Sequence, residues 1–427
     1  MRSVAAVILL ALVAACGRDD ANGERDLPWT VAVDSTGDTV RISITGPTPA
    51  SRVHRLVAEL TVGAVDGSEE ESFGAVDDVI GTDEGGLLVW DSQAKAIRRF
   101  GADGKFLRLL GARGGGPGEH GHVNGIVRLT DGGWAVWDAD GSRINRYAEG
   151  GTFLGTTRSP LSGWYRTDAL RADARGRFYI EVALERDSIT RAITRAGYLA
   201  FDADGTVRDT LVIPMWAPEP EQLVAQTADG GSTTRWGRPW GGGSEAAVSP
   251  DGGLLAGFGL EYVFYILRAD GKPIRVEREY ARVPVSETEA REREAMITQR
   301  LRRLNPSWTW TGAPMAKVKT AYRDFRVGED GRLWIRLSAP AEAIPPNELP
   351  PVDAADPDAV RLTTREPELF DVYEADGTLI GRITVPPKTR VLRARGNYVW
   401  GVQQDSLDVN YAVRFRITPA LQPQEHK

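Results

Sequence analysis

The sequence predicts an all-β chain folded as a six-bladed β-propeller, with one inserted helix and an N-terminal strand that completes the last blade. Three observations carry this expectation. The stretch DSQAKAIRRFGADGKFL, beginning at Asp91, matches DADGSRINRYAEGGTFL, beginning at Asp138, in the same register and 47 residues away. A fixed period of that size in a β-rich chain marks a repeat architecture. A turn of the Ala-Asp-Gly type recurs after Phe100, Tyr147, Phe201, Leu267 and Tyr373, and an earlier turn glycine (Gly85, Gly132, Gly176, Gly252, Gly331) precedes an apolar strand each time. Alternating apolar residues between such turns are the sequence form of a hairpin meander.

The elements follow in chain order. Met1-Arg2 and the apolar run from Val4 to Ala15 have the form of a signal peptide. About twelve apolar residues are too few to cross a bilayer, which needs ~20. Residues 17–28 are polar with Gly and Pro, and read as a flexible tether. The expected propeller domain then runs from 29 to 427. Trp29 to Ile44 reads as a hairpin around Gly37, packed outside the ring. Arg55 to Gly63 is a strand left over before the first blade, and is expected to close the last one.

The two turn markers are 15 residues apart in blades one, two and four, but 25 apart in blade three and 42 in blade five. The excess places insertions at 184–195 and 339–366, the second rich in proline and expected to be a loop. A third insertion spans 280–320 and carries the helix. Ser286 and Glu289 form a capping box, Ile297, Leu301 and Leu304 make an apolar stripe, and Pro306 ends it. The charged run Arg291 to Glu294 reads as a solvated face. Residues 389–418 supply only three strands of the sixth blade, hence the need for a strand from elsewhere.

Composition bounds the partners. With 427 residues, 41% hydrophobic and 26% charged, the chain can bury a large core, and a net charge of −7 argues against general nucleic-acid binding. Cys16 is the single cysteine. No disulfide can form within the chain.

Two segments resemble known bacterial proteins. Val13-Ala14-Ala15-Cys16 resembles a lipobox, which implies cleavage before Cys16 and lipidation of its thiol. Gly17 after it implies, by that resemblance, an outer-membrane destination in a Gram-negative cell envelope. GARGGGPGEH (111–120) and RINRYAEGGTFLGTT resemble the signatures of the NHL-like six-bladed propeller lipoproteins, with His120 where that family usually has Phe. The resemblance covers nearly the whole mature chain and implies architecture more than activity, since propellers host many chemistries.

Several constellations are candidates for chemistry. Aligning the blades puts Asp77, Asn124, Asp168, Ser244 and Arg323 at the starts of innermost strands, around one mouth of the channel, with Asp78, Glu245 and Asp324 as neighbours. Such a ring of polar groups suits a polar ligand or a cation, or simply lines a wet channel. Trp236, Trp240, Trp308 and Trp310 lie in insertions, where they offer a stacking surface for a sugar or peptide or pin long loops down. His120 and His122 would share a face of an extended strand and could hold a metal, although a catalytic zinc needs a third protein ligand. The glycine loop 111–118 lacks the following helix of a phosphate loop. The Asp-Ala-Asp-Gly runs lack the remaining ligands of a calcium loop.

The expectation is therefore a lipid-anchored, monomeric envelope propeller that binds a protein, peptide or glycan partner without catalysis or a required cofactor. Two alternatives stand beside it. One is a hydrolase resembling the gluconolactonase-type propellers, with a divalent metal on Asp77, Asn124, Asp168 and Glu245. The other is a structural part of an envelope assembly.

Overall fold

A computed structural model describes residues 29–161, 170–188, 193–216, 222–312, 314–349, 356 and 359–422. Cys16 and the signal segment, the tether, Asp168 and His426 lie outside the described residues. The described chain is all-β with one helix, in a propeller-like arrangement of antiparallel four-stranded meanders.

The first meander is Val76–Gly81, Leu87–Asp91, Ala96–Phe100 and Phe106–Leu109. The second is Val123–Arg128, Trp134–Asp138, Arg143–Tyr147 and Phe153–Arg158. The third runs Arg171–Ala172, Phe178–Arg186, Ile193–Phe201 and Val207–Val212. The fourth runs Glu245–Val248, Leu254–Gly257, Val263–Leu267 and Ile274–Arg278. The fifth comprises Tyr322–Val327, Leu333–Leu337, Leu369–Tyr373 and Leu379–Thr384. Thr389–Arg395, Tyr398–Gln404 and Asn410–Thr418 make three strands of the last.

The missing fourth strand comes from the other end of the chain. Val53–Val62 pairs antiparallel with Asn410–Thr418, from Arg55 opposite Thr418 to Val62 opposite Ala412. The hairpin Thr30–Asp34 and Val40–Thr45 instead adds to the outer edge of the fourth meander, where Val40–Thr45 runs parallel to Ile274–Arg278.

The core lies between meanders. Ile80, Leu88 and Trp90 of the first pack with Ile126, Trp134 and Val136 of the second. Trp137 and Ile144 meet Phe178 and Phe201 of the third, and Tyr179 and Tyr198 meet Val248 and Leu254 of the fourth. Phe264 meets Phe325 and Ile335 of the fifth, whose Phe370 and Ile383 meet Val399 and Phe415 of the last. Trp400 and Val402 of the last then meet Val79 and Leu87 of the first. Each such side chain is worth roughly 1.5–3 kcal/mol when removed from water.

The repeated Asp has a structural task. Asp91 is fully buried, accepts from the amides of Gly74, Ala75, Gln93 and Ala94, and pairs with Arg98 at 2.9 Å. Asp138 does the same for the amides of Gly121 and His122 and pairs with Arg143 at 2.9 Å. A short acidic side chain at the end of the second strand thus satisfies loop donors that no ladder reaches. Gly85 and Gly132, at φ +83° and +82°, take the left-handed turn that the strands between them require.

Around 184–195 the extra residues lengthen the central hairpin of the third meander, with Ala183 opposite Ala196 and Arg186 opposite Ile193. The run Arg291 to Glu294 is not simply a solvated face. Glu292 accepts from the backbone amides of Thr363 and Thr364 at 3.0 and 3.2 Å, which docks the proline-rich insertion on the helix. Within that insertion Glu342–Ala343 pairs with Thr364–Arg365.

The helix, Glu287–Leu304, begins with one half of the expected capping box: the Ser286 hydroxyl accepts from the Glu289 amide at 3.2 Å, while the Glu289 side chain turns to Lys319.

Candidate ligand pocket at the strand-start mouth

The starts of the innermost strands share an irregularity that the sequence alignment did not reveal. In the first meander Val76 faces Asp91 and Asp78 faces Trp90, so Asp77 is an extra residue. Asn124 and Arg323 are the extra residues at the same place in the second and fifth meanders, and Leu392 in the last. A bulge leaves one residue unpaired and re-aims its side chain. Three of the candidates thus occupy positions that the ladder releases.

Two cavities open here. The first, about 600 Å³, follows the axis and is lined by inner strands of all the meanders, including Asp77, Asp78, Glu245 and Asp324. Asn124 is not among its walls. Its carboxylates are matched by arginines. Arg393 holds Asp78 through two hydrogen bonds of 3.1 and 2.6 Å, Arg336 lies 3.2 Å from Asp324, and Arg390 lies 4.0 Å from Asp77. Burial pushes the carboxyl of Glu329 above the usual range, against the pull of Arg393, Arg395 and Arg128.

The second cavity, about 280 Å³, lies between the helix and the inner strands of the fourth and fifth meanders. It brings Trp236, Trp240 and Glu245, which are close in sequence, together with Arg323 from a distant segment. Arg238 and Arg293 add to its walls. One side of this cavity is held by a buried ionic cluster. The Lys319 ammonium, wholly buried, donates to Glu289 at 2.7 Å, to Glu366 at 3.0 Å and to the Ala339 carbonyl at 2.8 Å. A buried cation needs such full satisfaction, since its desolvation costs several kcal/mol. The cluster ties the helix (Glu289) to the segment leading into the fifth meander (Lys319) and to that meander's insertion (Glu366).

The four loop tryptophans divide. Trp308 is 6% exposed, packs with Leu223, Ala225, Ile297 and Leu301, and donates its indole N–H to the Val224 carbonyl at 2.9 Å. Trp310 crosses it edge to face. These two fasten the helix to the inserted hairpin Leu223–Gln226 and Thr233–Trp236. Trp236 and Trp240 line the pocket instead. Arg300 sits 4.6 Å over the Trp236 ring, and Lys319 lies 5.7 Å from the centre of Trp240.

The histidine pair does not assemble as alternation implied. The strand holding it stops at His120, so Gly121 and His122 fall outside it. His120 is 1% exposed, with Nε2 3.1 Å from the Leu110 carbonyl and Nδ1 3.4 Å from the Asn145 amide nitrogen. Burial lowers its pKa. It thus packs as a core residue. Among the described residues no group of three or more His, Cys, Asp or Glu is placed to hold a metal ion.

The glycine loop 111–118 is clamped by protein groups. Glu119 accepts from the Gly116 amide at 2.6 Å, and Tyr147 donates to the Gly118 carbonyl at 3.0 Å. A Cβ on Gly111 would come within 2.4 Å of His120 Nε2, so its glycine serves packing.

Sequence reasoning missed Arg293, Arg238, Lys319 and Arg393. Only Arg293 carried a local signal, its place on a helix with an apolar stripe. The others acquire their partners through contacts between distant segments.

No family model matches the chain, and no curated protein matches it. Solved structures do share its shape. A member of the DUF4221 family from Bacteroides vulgatus superposes with TM-score 0.50 at 12% identity, covering 86% of this chain and 99% of its own. A Bacteroides fragilis protein named as exported gives TM-score 0.47 at 11% identity, over 88% and 99%. A protein named as a gluconolactonase gives 0.38 at 12%, over 88% and 96%. At such identities the likeness is one of β-propeller fold.

Proposed function

We propose that this protein is a lipid-anchored envelope propeller of the NHL-like kind, a closed ring of six blades that binds a small ligand without catalysis in the pocket beneath its helix. Support for six blades comes from the six meanders, each sharing an apolar cluster with the next and the last with the first. Support for anchoring comes from the signal segment and Cys16. The outer membrane follows from Gly17 by the same resemblance.

One observation carries the binding reading. Trp236, Trp240, Glu245 and Arg323 converge on one cavity of about 280 Å³. Aromatic walls with a few polar groups are the usual makeup of a ligand site. The gluconolactonase-type alternative fits less well. Of its expected ligands, Asp77 has Arg390 4.0 Å away, and Asn124 is not among the walls of the cavity that Asp77 and Glu245 line.

The test is thermal unfolding of the mature protein against a panel of neutral sugars, amino acids, dipeptides and aromatic acids, alongside Trp240→Ala. At a hundredfold excess over Kd a ligand adds about 2.7 kcal/mol. At least one class should raise the midpoint by about 2 °C or more in the native protein and not in the variant. A panel with no effect, or equal shifts in both proteins, would remove the reading.

A further inference from the structure

We infer that the pocket beneath the helix takes a small organic anion on a flat ring, gripped by Arg293 and Arg323 against the Trp236 and Trp240 walls. This rests on the binding reading above and names the chemistry it would select.

The cations come first. Arg293 is half-buried in the pocket wall and has no hydrogen bond or ion pair among the described residues. Its neighbour on the helix, Glu292, is turned to Thr363 and Thr364 and does not neutralise it. Arg323, on the bulge, has one ion pair, 3.5 Å from Glu366. That carboxylate is already held by Lys319 at 3.0 Å and by the Ala339 amide at 2.8 Å. Lys319 and Arg323 balance Glu289 and Glu366 in formal charge. The pocket walls themselves carry three arginines, Arg238, Arg293 and Arg323, and two carboxylates, Glu245 and Glu366. A guanidinium fork matches a planar carboxylate or a phosphate in two parallel hydrogen bonds.

The walls supply the second argument. Trp240 sits at φ +58°, a left-handed backbone that a bulky residue rarely adopts. Strain of this kind persists where the surroundings hold it and clusters at ligand clamps. It sets the indole beside Lys319 and at the pocket surface. Trp236, at the end of the strand before that loop, already has the Arg300 guanidinium over its ring. A flat ring that stacks on these indoles would place an attached anionic group among the arginines. A volume of about 280 Å³ admits one such ring and its substituent, not a polymer.

The experiment is calorimetric titration of the mature protein with benzoate, with its neutral isostere benzamide and with phenyl phosphate, using the native protein, Arg293→Gln, Arg323→Gln and the exposed control Arg291→Gln. Benzoate or phenyl phosphate should bind at least about tenfold more tightly than benzamide, as a charge-assisted pair implies. Whichever anion is preferred identifies the head group. Arg293→Gln and Arg323→Gln should each lose about tenfold, with unfolding midpoints unchanged, and Arg291→Gln should match the native protein. Equal affinity for benzoate and benzamide would overturn the anion inference and leave a ligand pocket standing. Anion binding that survives both pocket substitutions would place the site elsewhere and also overturn it. No binding of any probe overturns it too, and the binding reading then depends on the broader thermal panel.

Discussion

Asp78 and Arg393 join the first and last meanders across the channel wall, with Nη2 to Oδ2 at 2.6 Å and Nε to Oδ1 at 3.1 Å. Arg393 also donates to the Ile126 carbonyl of the second meander at 2.8 Å. One guanidinium therefore touches three of the units. Both side chains are only 14% exposed. Asp78→Ala should cost about 3–5 kcal/mol, because Arg393 is left as an uncompensated buried charge. Urea unfolding of Asp78→Ala, Arg393→Met and the double variant measures the coupling. A double variant less stable than the additive sum of the single changes would refute this account of the pair.

Trp308→Ala should cost about 3–5 kcal/mol in the satellite cluster and leave the meanders intact. Limited proteolysis should then cut within 222–236 or 287–304 before any cut in the meanders. Digestion spread evenly along the chain would contradict the separate packing of helix and hairpin.

Stability should fall in mild acid. Burial lowers the pKa of His120, and of His54, below the unfolded value of about 6.5. The unfolded chain therefore binds more protons than the native one just below that pH. The contribution is complete above about pH 6.5 and is lost as the pH falls. His120→Phe should flatten part of the slope between about pH 5 and 7. An identical slope in native protein and variant, followed by chemical denaturation across that range, would rule His120 out as a source.

Labelled palmitate should enter the chain at Cys16 and nowhere else, since it is the single cysteine. Cys16→Ser should remain unlabelled and be released from membranes on fractionation. Label retained in that variant would refute the anchor.

Much of the fold could be read from local signals. The turn glycines and the Asp-Gly turns act within a few residues and reappear in place, as does the Ser286 half of the capping box. The closing strand was legible by subtraction, as a strand with no unit of its own. The bulges were not, because whether Asp77 or Arg323 is paired depends on the opposite strand's register. The pocket was legible only as fragments. Trp236, Glu245 and Arg323 were each visible, but their convergence depends on how the helix settles, which Lys319, Glu289 and Glu366 decide from three distant segments. The pairing of channel carboxylates with Arg336, Arg390 and Arg393 is likewise non-local.

The sheet shared by Val53–Val62 and Asn410–Thr418 has a consequence for the order of events during synthesis. Arg55 and Thr418 are opposite each other although 363 residues apart in sequence. The first of these strands leaves the ribosome early, meets Arg382–Thr384 over only three residues, and waits for Asn410–Thr418 to complete its pairing. Contacts of such long range form slowly. A chain shortened to begin at residue 49 should still close, whereas one beginning at residue 64 should leave Asn410–Thr418 as a raw edge and aggregate. The seam thus makes the two strands interdependent, because a molecule that lacks either one keeps an open edge.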